Sequence, residues 1–63
     1  MTTSDRVREL RQARNLYQQE LADKAGVSRQ TVVNLENGRH VPDTSTLSKL
    51  ARALDVPVGD LID

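Results

Sequence analysis

Apolar residues recur along this chain at the three- and four-residue spacing of helix faces, and no segment shows the strict alternation of a half-buried strand. The clearest stripe is Leu47, Leu50, Ala51 and Leu54, which follows the i, i+3, i+4, i+7 pattern. Asp43 stands before it as a cap, so a helix over about 44–54 is predicted. Near the start, Val7 and Leu10 lie one turn apart in a stretch over about 5–14 that Ser4 or Asp5 would cap. Asn15 suits its stop, because asparagine tolerates the left-handed conformation that ends many helices. Leu21, Ala22 and Ala25 mark a second helix over about 18–25, closed by Gly26. Ser28 opens a third over about 29–37 with Val32 and Leu35 inward, and Asn37-Gly38 ends it. Arg39-His40-Val41-Pro42 reads as a loop in which His40 is a solvated side chain, and a short fifth helix over about 58–62 closes the chain. The prediction is one all-α domain, residues 1–63.

At 63 residues the chain is near the lower limit for folding without staples, and it has no cysteine. A disulfide framework and a cysteine-containing zinc cluster are therefore excluded, no cofactor or metal is expected, and a reducing cytoplasm is the expected location. No apolar run approaches the length of a membrane span, and Met1-Thr2-Thr3-Ser4-Asp5 lacks the layout of a signal peptide. An enzyme is disfavoured. There is no histidine paired with a carboxylate at a motif spacing, no glycine-rich phosphate loop, and little mass to enclose a pocket. The net charge of zero does not by itself advertise a nucleic-acid partner, but its placement is uneven. Residues 1–39 carry seven Lys or Arg against five acids, whereas residues 40–63 carry two against four.

The basic part also holds the informative constellation: Gln18, Leu21, Ala22, Gly26, Val27, Val32, Leu35 and Glu36. Two short helices that cross steeply need a small residue where their backbones approach, which Ala22 supplies, and a corner residue free of Cβ strain, which Gly26 supplies. Val27, Val32 and Leu35 then fill the corner. A glycine corner with apolar flanks suits any helical hairpin; the full set in register is much more specific.

With Arg6-Val7-Arg8-Glu9-Leu10-Arg11, Gln18-Gln19-Glu20-Leu21-Ala22, Ala25-Gly26-Val27-Ser28-Arg29 and Leu35-Glu36-Asn37-Gly38 in that order, followed by Pro42 and Leu47 through Leu54, the chain resembles the Cro and phage-repressor class of helix-turn-helix proteins. This is the xenobiotic-response-element family of transcriptional regulators. The resemblance implies a compact five-helix, lambda-repressor-like domain whose third helix enters the major groove, and sequence-specific binding of double-stranded DNA at palindromic operators by a homodimer. It also implies that Gln18 meets a phosphate at the start of helix 2, that Asn37 and Arg39 touch the duplex backbone, and that Tyr17, Ser28 and Thr31 belong to the same set, with Thr44 a weaker member. Arg11 and Glu36 would form a partly buried ion pair tying helix 1 to the end of helix 3. Related repressors dimerise near the C-terminal end, where Val56, Val58, Leu61 and Ile62 are more apolar residues than one short helix can bury; Leu61 and Ile62 as a cap on the core is the other reading. Four positions depart from the family's habit. Tyr17 stands where Ser or Thr often caps helix 2, Asn15 and Asp55 where glycine is common, and Pro57 where a polar cap is usual.

Independently of the family, Arg29 sits badly for a cation, since the helix dipole disfavours positive charge in the first turn by roughly 0.3–1 kcal/mol. Sites that break a local rule are often functional, and a guanine edge or a phosphate would reverse the sign. We favour the base. Gln30 and Asn34 lie one turn apart outside the Val32 and Leu35 stripe, and both amides can pair with adenine. Val33 is either a contact for a thymine methyl or a valine at the core's edge. A second functional class is an antitoxin or other protein-interaction module, whose partner would be a toxin. Because the predicted fifth helix ends the chain, a minimal repressor, an antitoxin or an excised domain is expected.

Overall fold

Residues 2–39 and 43–62 are described by a computed structural model, in which four α-helices precede a short terminal turn and no strand occurs among the described residues. The helices are α1 (Thr3–Ala13), α2 (Gln18–Ala25), α3 (Arg29–Glu36) and α4 (Thr44–Ala53), followed by a 3-10 turn at Val58–Leu61. The expected loop at His40, Val41 and Pro42 lies outside the described residues.

Two of the four helix starts, those of α3 and α4, are set by the expected caps. The Ser28 Oγ accepts from the Thr31 backbone N–H at 3.1 Å and the Asp43 carboxylate from that of Thr46 at 2.8 Å. Helix α1 begins earlier than expected. Thr2, and neither Ser4 nor Asp5, is its cap: the Asp5 N–H donates to Thr2 Oγ1 at 3.2 Å while the Thr2 N–H donates to the Asp5 carboxylate at 3.3 Å. This reciprocal pair satisfies two backbone donors with one pair of side chains, which Ser4 as cap could not do with Val7 at the third position. At α2, Tyr17 offers no capping oxygen, and Glu20 instead reaches back to accept from the Tyr17 N–H at 2.8 Å.

All four helices stop in the same way. A left-handed residue follows each, namely Asn15 (φ 56°), Gly26 (φ 74°), Gly38 (φ 72°) and Asp55 (φ 60°). Its N–H, and that of the next residue, fold back onto the helix's last free carbonyls, as in Gly26 to Asp23 (3.3 Å) and Val27 to Ala22 (3.0 Å). The residue after the stop is Leu16, Val27 or Val56 in three cases, each packed against the core. In the fourth it is Arg39, which is exposed.

The fifth helix expected over 58–62 is corrected to a single 3-10 turn. Left-handed Asp55 and Pro57 reset the chain just before it, and Gly59 is a weak helix former, so only i to i+3 bonds close, from Asp60 N–H to Pro57 O at 3.0 Å and from Ile62 N–H to Gly59 O at 3.3 Å.

The core is the sum of the predicted stripes: Val7 from α1, Leu21, Ala22 and Ala25 from α2, Val32 and Leu35 from α3, and Leu50, Ala51 and Leu54 from α4 and its end. Leu10, Val27 and Leu47 cover its rim. Helix α2 packs on α3 and α4, while α1 packs on α3 and on the terminal turn. Leu61 is wholly buried in this core, which removes it from the expected dimer surface; Val58 and Ile62 are exposed and Val56 is half-buried. No described helix is long and apolar enough to cross a membrane.

Candidate nucleic-acid interface

Helix α3 turns Val32, Leu35 and Glu36 into the protein and everything else outward. At 3.6 residues per turn, Arg29, Val33, Asn37, Gln30 and Asn34 fall in that order across an arc of about 140° on its other side. Arg29, Gln30 and Asn37 are exposed, and Val33 and Asn34 are half-buried. The four expected base readers, Arg29, Gln30, Val33 and Asn34, thus share one outward face, with Asn37 among them.

The Arg29 side chain makes no hydrogen bond or ion pair among the described residues, and the first turn of α3 holds no acid to offset its charge. Beside it, the Ser28 and Thr31 hydroxyls are hydrogen-bonded to each other at 2.8 Å. Gln30 Nε2 donates to Asn34 Oδ1 at 2.9 Å, so the two amides are linked along the face.

The position of α3 is fixed from behind by charge. Arg11 Nε donates to Glu36 Oε2 at 2.7 Å and Arg11 Nη2 to Glu36 Oε1 at 3.0 Å, a two-point pair between helices far apart in sequence. The Glu36 side chain is 2% exposed and that of Arg11 13%. The remaining Arg11 arm, Nη1, donates to the Leu16 carbonyl at 2.7 Å, and Gln18 Nε2 adds a third donor to Glu36 at 3.3 Å. Among the described residues no buried side-chain nitrogen or oxygen lacks a partner, so this charged cluster is satisfied where it is enclosed.

Through that bond the start of α2 lies beside the end of α3. Gln18, expected at a phosphate, is thereby joined to Glu36, the last residue of α3, after which come Asn37 and Arg39. Gln18 Nε2 keeps a second hydrogen beyond the one given to Glu36. Tyr17 is 77% exposed. Thr44 is exposed at the first position of α4, apart from this group.

Arg8 also takes part, in a role that its place in the sequence does not predict. Its Nη2 pairs with Asp5 Oδ1 at 2.6 Å and its Nη1 donates to the Glu36 backbone carbonyl at 3.4 Å, capping the end of α3 with a cation. The three-residue spacing from Asp5 was a visible signal for the first contact; nothing local to Arg8 signals the second. The Thr2 N–H and hydroxyl, and after them the Arg8 guanidinium, hold the Asp5 carboxyl below its ordinary value of 3.8.

Comparison with known proteins agrees with the fold. A family pattern described as helix-turn-helix matches residues 7–61. The immunity repressor protein of Bacillus phage phi105 is 37% identical over 62 residues, covering 98% of this chain and 43% of that protein. The cryptic phage CTXphi transcriptional repressor RstR of Vibrio cholerae is 37% identical over 59 residues, covering 94% of this chain and 53% of that one. The chain therefore spans about half the length of these two repressors. In structure it is similar to the restriction-modification controller protein C.AhdI from Aeromonas hydrophila, with a TM-score of 0.92, 37% identity, and coverage of 95% of this chain and 91% of that one.

Proposed function

The chain belongs to the helix-turn-helix family, in its Cro and phage-repressor class, and from that premise we propose that it represses transcription from the cytoplasm by binding a palindromic DNA operator as a homodimer. Helix α3 lies in the major groove. Arg29, Gln30, Asn34 and Val33 read base edges, with Arg29 on guanine, while Gln18, Tyr17, Ser28, Thr31, Asn37 and Arg39 hold the sugar-phosphate backbone. The observation that carries this reading is the outward arc of α3, an uncompensated arginine and two amides on one face of a helix locked from behind by the Arg11 and Glu36 pair. Arg39 adds to it, because the position that plugs the core after the other three helices here projects a cation beside Asn37.

The test compares two arginine variants on an operator obtained by selection from random DNA. Arg29→Ala is expected to lose roughly 1–3 kcal/mol of discrimination at one base position. Arg39→Ala is expected to weaken all sequences alike and to lower the salt dependence by about one counterion. An Arg29→Ala protein that keeps every base preference at fixed salt would overturn the assignment of Arg29 to a base.

A further inference from the structure

A backbone amide nitrogen can attack the side-chain carbonyl of the asparagine before it, and the reaction is fastest when that nitrogen belongs to glycine, because no side chain crowds the ring that forms. The chain has three asparagines; Asn15 and Asn34 are each followed by a leucine, and Asn37 by Gly38. Asn37 is exposed at the end of α3, and its side-chain amide has no hydrogen-bond partner among the described residues. The fold restrains this pair in two ways. The Asn37 ψ of 0° eclipses the Gly38 nitrogen with Asn37's own nitrogen and so turns it away from the side chain, and the Gly38 N–H is given to the Leu35 carbonyl at 3.1 Å. Both restraints belong to the last turn of a helix, a part that opens locally at little cost in free energy.

We propose that Asn37-Gly38 is a self-modifying site whose conversion ends operator binding. When the last turn of α3 opens, the Gly38 nitrogen loses its proton to solvent base and attacks Asn37 Cγ; the Cγ–Nδ2 bond breaks, and Nδ2 takes a proton from water and leaves as ammonia. Water then opens the cyclic imide. Cleavage at Cγ yields aspartate, and cleavage at the Asn37 backbone carbonyl carbon yields isoaspartate, whose chain runs through one extra methylene. Either product exchanges a neutral amide for an anion. That anion stands at the C-terminal end of α3, where the helix dipole disfavours it, and beside the phosphates that Asn37 and Arg39 are proposed to hold. Isoaspartate also lengthens the backbone between Glu36 and Arg39, so the cation is displaced as well. Bound DNA covers Asn37 and holds the last turn closed, so free protein converts before operator-bound protein. The consequence for binding rests on Asn37 touching the duplex.

The parent chain and two variants that cannot close the same ring, Asn37→Gln and Asn37→Ser, are incubated warm at mildly alkaline pH, alone and with an operator duplex selected from random DNA. Peptide mass mapping follows the amide-to-acid exchange at each asparagine, and titration of the duplex follows affinity. Asn37 is expected to convert ahead of Asn15 and Asn34, faster in denaturant than in the folded chain, and more slowly on the operator. The aged parent is expected to lose affinity by about 10-fold or more in step with conversion, whereas each aged variant keeps the affinity with which it started. An Asn37 that outlasts Asn15 or Asn34 in the folded chain overturns the site. Conversion without loss of affinity, or at one rate with and without the operator, overturns the placement of Asn37 on the duplex and leaves α3 as the reader. An equal loss in the aged variants moves the cause away from Asn37 and overturns the link to binding. A fresh parent that binds no selected duplex overturns operator recognition and the consequence for binding together, while the mass map still decides the chemistry at Asn37.

Discussion

Glu36 is the one charged side chain enclosed in the described core, and three donors from two side chains meet its carboxylate. Removal of the guanidinium would leave it with the Gln18 amide alone, a buried charge with one weak partner. Arg11→Ala is therefore expected to cost about 3–5 kcal/mol, a large part of what so small a domain has, and to lower the melting temperature by roughly 15 °C or more. Thermal melts by circular dichroism read this directly, and a change of a couple of degrees would mean that the pair carries little. Asp5 makes a milder and pH-dependent contribution at the surface. Its folded carboxyl titrates below the ordinary value of 3.8, so its stabilisation is fully present above that value and is lost as the pH falls through the folded one. Asp5→Ala should flatten the fall of melting temperature between about pH 5 and pH 2, and an acid limb identical to the parent's would remove this capping pair from the account. Side-chain identity made neither partnership plain in the sequence by itself. Arg11 and Glu36 were matched only through the family resemblance, since no helical periodicity links positions so far apart.

The shared way in which the helices end shows which parts of an element a sequence exposes. Gly26, Gly38 and Asn15 announce their stops because few other residues take a positive φ at little cost. The start of α1 was harder to place, because Thr2, Thr3, Ser4 and Asp5 are four consecutive residues able to cap, and only the reciprocal bond between Thr2 and Asp5 chooses among them. The apolar spacing of the terminal 3-10 turn fits a helix, while the reset imposed by Asp55 and Pro57 is a backbone effect that periodicity does not carry. In the candidate interface, the outward face of α3 follows from the Val32 and Leu35 stripe, whereas the direction of the bond between Gln30 and Asn34 does not. The stops also differ in strain. Asp55 holds φ 60° with a Cβ, so Asp55→Gly should raise stability by about 1 kcal/mol and the melting point by about 4–8 °C. Gly26→Ala should move the other way by about as much. No atom lies within 4 Å of where its Cβ would stand, so the cost is that of the backbone alone. Urea denaturation of the two variants checks the signs; a neutral Asp55→Gly would show that the aspartate is unstrained at this stop.

On the scale of the whole domain, a helix of eight residues can address only a few base pairs, and duplication is the economical route to a long enough site. Leu61 is taken up by the core, so the apolar surface left near the C-terminal end is Val58 at 38% exposure and Ile62 at 57%, with Val56 at its edge. Ile62→Lys is accordingly expected to leave the melting temperature within a few degrees of the parent and to weaken operator binding by reducing paired half-site footprints to single ones. Paired footprints of undiminished strength would place the dimer contact elsewhere.

The lone aromatic residue has a consequence of another kind. Tyr17 stands exposed at the start of α2, and the chain has no tryptophan or phenylalanine. Its emission is therefore the whole intrinsic fluorescence of the protein, and a phenol that is already in water will change little when the chain unfolds. The same ring, set among the residues proposed to grip the backbone of the duplex, changes surroundings when DNA arrives. Natural, unlabelled protein should thus report operator binding optically while remaining nearly silent about its own denaturation.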